Sequence, residues 1–267
     1  MKKLFLPLLL SVMLFTQCSK KDKAATVDKS LNLKSVGASA KDFLSAGTYS
    51  SVNVQLQFMP GYAPDAAALT NLTNFLNTLL NKPSGITFTQ TPIAASGKSV
   101  FTIAEIDALE KANRTQFTNG NVLSVYVVYV DAPFSTANIL GAAYRNTSLV
   151  IFGPTVTNNS GGVNQTTRTK LETTVLNHEF GHLLGLTNLG SPMVTAHEDG
   201  AHMSHCNNSS CLMYFSTQTS MMGGVLLSGP VPALQFASKA GTGPLSKTPP
   251  IILVCVEKYI RQDELLQ

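Results

Sequence analysis

Outside one short stretch this 267-residue chain has no histidine at all: His178, His182, His197, His202 and His205 all fall between positions 178 and 205. Charge is sparse too, with 13% Asp, Glu, Lys and Arg and a net formal charge of +4. Lys and Arg are nowhere clustered among aromatic residues, which removes the footprint of a nucleic-acid-binding surface. After residue 15 no apolar run compares with the first one, so no later stretch has the form of a membrane-spanning helix. The absences leave a chain long enough for one domain with a substantial core and with its candidate chemistry in one place.

The amino terminus runs Met1-Lys2-Lys3 and is then apolar over residues 4–15, the form of a secretory signal. Cys18 follows Leu14-Phe15-Thr16-Gln17 and precedes Ser19-Lys20-Lys21-Asp22-Lys23, which resembles the cleavage and acylation site of a bacterial lipoprotein. The resemblance implies a signal over 1–17, a lipid on Cys18 that makes the membrane a partner, and a place in the cell envelope. Residues 19–48 are rich in Lys, Ser, Ala and Asp, so 18–48 is expected to be a tether. A folded body is expected over 49–227, and the Pro/Gly/Ser-rich start of 228–267 leaves that end unplaced.

Within the body, residues 52–58 alternate apolar and polar as a half-buried strand does, and Pro60-Gly61 ends it. Leu69, Leu72, Leu76 and Leu79 recur at helical steps after Pro64, and a second strand is expected over 86–91. Thr102-Ile103-Ala104-Glu105 has the form of a capping box that opens a helix toward Phe117. Residues 122–130 are almost unbroken apolar and β-branched sequence, the mark of a central strand buried on both faces. Two short strands are expected over 139–144 and 149–152, then a Gly/Asn-rich loop over 158–164, then a helix over about 167–184. Leu171, Val175, His178 and His182 share one face of that last helix.

The helix carries His178-Glu179-Phe180-Gly181-His182. Two imidazoles four residues apart sit one turn apart on one face and can grip one ion, while Glu179 can reach a water on that ion. This donor set suits Zn2+, and ion and carboxylate together are the parts of a hydrolase. Further on, His205-Cys206-Asn207-Asn208-Ser209-Ser210-Cys211-Leu212-Met213-Tyr214 resembles the archaemetzincin branch of the metzincin zinc peptidases, in which a third histidine is followed by Cys, four residues, Cys, one residue and Met.

The resemblance implies an α/β metzincin-like zincin domain, a twisted mixed sheet with an active-site helix and a C-terminal subdomain with a methionine turn. It implies His178, His182 and His205 as zinc ligands, Glu179 as the general base, Met213 as the methionine beneath the metal, and Gly141, Ala142 and Ala143 as the edge strand that pairs with a peptide or protein substrate. Asn188 stands where the family's third ligand usually lies, so an insertion must loop out and return through His205. The family's further Cys-x-x-Cys is missing, with only Cys255 left, which argues against a second, four-thiolate zinc site. Outside the cytoplasm, Cys206 and Cys211 are expected to form a short disulfide. Glu198 is a weaker alternative ligand. His197 and His202 remain open between support of the site, a surface metal site and simple loop polarity. The expected activity is that of a lipid-anchored zinc endopeptidase; the alternative is a lipid-anchored metal-binding or peptide-binding protein without turnover.

Overall fold

The computed structural model describes residues 27–191, 193, 196–219 and 230–232. The signal over 1–17, Cys18, Cys255 and nearly all of 228–267 lie outside the described residues.

The elements are α1 (Ala40–Leu44), β1 (Ser51–Phe58), α2 (Ala66–Leu79), β2 (Ile86–Pro92), α3 (Ile103–Asn113), β3 (Val122–Val130), β4 (Gly141–Arg145), β5 (Ser148–Phe152), α4 (Gly153–Asn158) and α5 (Arg168–Leu183). One 3-10 turn precedes them at Lys29–Asn32 and another follows at Phe215–Gln218. The five strands form one mixed sheet in the order β2-β1-β3-β5-β4, which makes this an α/β fold. Four strands run parallel, and β4 alone is antiparallel, at the edge beside β5.

β3 lies mid-sheet because both of its faces are apolar. Leu123, Val125, Val127 and Tyr129 face the core beneath α2 and α5, while Tyr126, Val128 and Val130 face a second cluster with Met59, Phe101 and Ile106. The two-residue period of a strand assigns alternate side chains to the two cores, and each buried apolar side chain stabilises by about 1.5–3 kcal/mol. In α2, Leu69, Leu72 and Leu76 supply the buried stripe, and Asp65 caps the helix by accepting from the Ala68 N–H at 2.9 Å. Buried Glu172 of α5 accepts from the Asp65 N–H at 2.8 Å and from the Tyr129 hydroxyl at 2.9 Å, so one carboxylate fixes the start of α2 and the first turns of α5 against β3.

Several boundaries move from their expected places. The helix opened by the Thr102 capping box ends at Asn113, where Arg114 leaves the axis to pair with Glu110 at 2.6 Å inside the fold. The strand expected over 139–144 begins at Gly141, since Ile139 bridges instead to Thr219. Residues 153–158 form α4, which the sequence reading passed over although Pro154 stands in its first turn. α5 keeps its expected start, capped by Thr167, whose hydroxyl accepts from the Lys170 N–H.

The largest correction concerns the tether. Residues 28–45 are part of the folded body and run as a strap along its surface. Asn32 is fully buried; its side-chain amide donates to Thr118 Oγ1, the Ser124 carbonyl and Thr147 Oγ1, each at 2.9 Å, and its Oδ1 accepts from the Thr118 N–H. Phe43 and Leu44 enter the main core. Lys82 is buried and donates to the carbonyls of Asp42, Ser45 and Tyr49 at 2.5–2.6 Å, clamping the end of the strap. The strap's polar composition therefore serves buried hydrogen bonding as much as solvation. Asn32→Ala leaves several buried partners unsatisfied and is expected to cost about 2–3 kcal/mol in urea unfolding. A change within error would mean that residues 28–45 are not part of the cooperative fold.

Candidate metal centre

α5 reaches the middle of the protein and is buried along Leu171 to Leu183. At its end Gly185, at φ +74°, turns the chain back; a Cβ there would press on Ala40 and Ser191. Gly181 has a separate reason to be glycine, because a Cβ would run into the Met213 sulfur. The segment after the insertion thus packs directly under the helix turn that bears the two histidines.

The structure brings His178, His182 and His205 together, with one nitrogen from each ring within 4.8 Å of the others. No other such group is found among the described residues. His178 Nε2 and His182 Nε2 are 3.1 Å apart, close to the about 3.3 Å edge of a tetrahedron with metal–nitrogen bonds of about 2.0–2.1 Å. His178 Nδ1 lies 2.7 Å from the Leu212 carbonyl and His205 Nδ1 lies 3.0 Å from the Met203 carbonyl. Those contacts make each Nδ1 the donor and leave each Nε2 with a lone pair turned inward. His205 Nε2 is buried with no hydrogen-bond partner, as is His182 Nδ1. Three neutral imidazoles with one nitrogen each turned to a common point fit a zinc ion.

Glu179 is buried beside them. Its Oε2 accepts from the Ala143 N–H of β4 at 2.7 Å, while its Oε1 has no partner. Gly141 lets β4 come this close, since a Cβ would crowd Val175 and the Glu179 stem. Burial pushes the Glu179 carboxyl up to about 8, opposed in part by the Ala143 N–H. Burial, with His205 nearby, pushes His178 down to about 3; burial and the two neighbouring rings hold His182 well below its usual value, and burial also lowers His205. The rings are therefore neutral at pH 7, the state that binds a metal.

The other candidates lie elsewhere. Glu198 accepts from the Asn188 amide at 2.9 Å and the Ser204 N–H at 2.8 Å, so it ties the two ends of the insertion together. Asn188 is exposed at φ +66°. His202 stacks on Phe215 with ring centroids 3.6 Å apart and bonds Asp199 at 2.8 Å. His197 is buried apart from the three-ring cluster, and its carbonyl accepts from the Asn207 N–H. Cys206 and Cys211 are both buried but are not joined, contrary to the expected disulfide. Each sulfur faces a backbone N–H two residues on, Asn208 for Cys206 and Met213 for Cys211. The returning segment is held instead by backbone bonds, Cys206 N–H to the Met213 carbonyl at 2.7 Å among them.

A cavity of about 270 Å³ opens beside Glu179, His182 and His205, and Ala142, Ala143 and Gln218 also line it. Val36, Leu189 and Ser204 also line it, and sequence reasoning missed all three because they lie far from the motif in sequence or inside the insertion.

No family model and no curated protein matches the chain. Solved structures similar to it include the following two. Archaemetzincin from Methanopyrus kandleri is 14% identical with a TM-score of 0.45, over 69% of this chain and 89% of that one. Metalloproteinase-II from Bacteroides fragilis is 16% identical with a TM-score of 0.37, over 74% of this chain and 57% of that one.

The raised Glu179 value has a consequence for the metal-free protein. Between the ordinary 4.5 of the unfolded chain and about 8, the unfolded state has released a proton that the folded state keeps. Stability therefore falls as pH rises through that window. Glu179→Gln lacks this loss, and histidine protonation is common to both proteins and cancels. In chelator, the glutamine variant is expected to melt near the wild type at pH 4.5 and at least about 2 °C above it at pH 8. A pH-independent difference would contradict the burial of an uncompensated carboxyl.

Proposed function

We propose that the protein is a zinc-dependent peptidase of metzincin-like design. The observation that supports this best is a cluster of three imidazoles, two of which line one cavity together with a carboxylate that has one unpartnered oxygen and with an antiparallel edge strand. His178, His182 and His205 would hold the zinc, which when bound polarises a water and a peptide carbonyl. Glu179 has the matching role: its unpartnered Oε1 takes the proton of the attacking water, and the same carboxyl then delivers it to the leaving amine. β4 offers its outer edge for backbone pairing with an extended peptide, which gives affinity with little demand on sequence. Met213 acts as a packing support under the helix turn, its sulfur fitting the space left by Gly181. The amino-terminal sequence through Cys18 adds the proposal that the enzyme works from a lipid anchor in the cell envelope.

Glu179→Gln is the direct test, because the amide keeps the shape and removes the base. The variant is expected to keep its zinc and to lose peptide hydrolysis by at least about a hundredfold, measured on a mixed peptide library with and without chelator. Near-wild-type cleavage would remove Glu179 from the mechanism. A wild-type protein that carries zinc and cleaves nothing would make the site one for binding without turnover.

A further inference from the structure

One wall of the cavity belongs to neither the zinc-binding residues nor β4. Val36 comes from the strap and Leu189 from the first turn of the insertion, and both are half-buried at the cavity's side. The strap is fastened on either side of Val36. The Lys34 N–H donates to Asn146 Oδ1 at 3.0 Å, the Lys34 carbonyl accepts from the Asn146 N–H at 3.0 Å, and the Asn146 amide also reaches Ser39 Oγ at 2.9 Å. Gly37, at φ +77°, lies so close to the Leu189 carbonyl that a Cβ would collide with it, and a Cβ on Gly190 would meet the Gly37 carbonyl at 2.5 Å. Two glycines thus let the strap and the insertion touch backbone to backbone, which sets Val36 and Leu189 beside each other. Both side chains are aliphatic. The cavity is also lined by Ala142 and Ala143 and by the polar Glu179, His182 and His205.

We propose that Val36 and Leu189 form the specificity wall of the cleft, and that it selects peptides with a small or medium aliphatic side chain flanking the cleaved bond. The inference rests on the peptidase reading above. A fixed aliphatic wall rewards a side chain that fills the remaining space, and about 270 Å³ shared with the peptide backbone crowds an aromatic ring. The chemistry stays with Glu179 and the histidines, so the wall changes which substrate is taken and not how it is cut.

The test uses the full zinc-loaded chain and peptides that are identical except at the two positions flanking the bond, each filled in turn by Ala, Leu or Phe. The wild type is expected to prefer Leu to Phe at one of those positions. Val36→Ala and Leu189→Ala are each expected to raise the Phe-to-Leu ratio of kcat/KM there by about tenfold, with zinc per chain unchanged. Leu33→Ala, at an exposed position of the same strap, is expected to leave the ratio where it was. A wild type that cleaves the series while both wall variants keep its preference would overturn the inference and leave the peptidase reading intact. Loss of zinc in Val36→Ala would overturn it too, because the strap would then be supporting the metal centre. A zinc-loaded wild type that cleaves none of the peptides would overturn the peptidase reading, and the inference with it.

Discussion

The last two turns of α5 place a carboxyl and two imidazoles inside the protein, and none of the three faces an opposite charge among the described residues. Burying such groups is costly unless they stay neutral or find a partner. The fold meets that cost in two ways. The imidazoles are held neutral, with His178 tied through Nδ1 to the Leu212 carbonyl, and the carboxyl is steadied on one oxygen by the Ala143 N–H. What remains unsatisfied is Glu179 Oε1 and His182 Nδ1, joined by Nε2 of the returning His205, and these three residues line one cavity. Polar atoms left unpaired in a buried place mark where a cation and a reacting water belong.

The rest of the chain can be understood as what brings three separate segments to that helix turn. The sheet delivers β4, whose Gly141 permits close approach to the Glu179 stem. The insertion after Gly185 returns with His205 and Met213, and it is stabilised inside itself by Glu198, by the stacking of His202 on Phe215 and by the backbone bond between Cys206 and Met213. The strap delivers Val36 and is locked by Asn32 and Lys82. A long insertion is tolerable here because closing a longer loop costs little extra entropy, provided its two ends are tied.

Strands and helices with a clear period were legible in the sequence: the two-faced β3, the leucine stripe of α2, and α5 to within a residue at each end. So was the candidate core of the site, because ligand spacing on a helix is a local property. The meeting of His205 with His178 and His182 was expected from the resemblance, and the folded chain does bring the three rings together. The strap was not legible, because a buried asparagine and a buried lysine look like solvated residues until their partners, 33 to 115 positions away, are known. The expected disulfide came from compartment and spacing alone, and neither carries information on where each sulfur points. α4 was missed since one turn and a half has no room for a period.

The central claim is that His205, and not a nearer histidine of the insertion, completes the metal site. Zinc per chain, measured on purified protein after dialysis, tests it most directly for His197→Ala, His202→Ala and His205→Ala. The account predicts one zinc per chain in the wild type, retained when His197 or His202 is replaced and lost when His205 is replaced. Full zinc in His205→Ala together with loss in either of the others would contradict it.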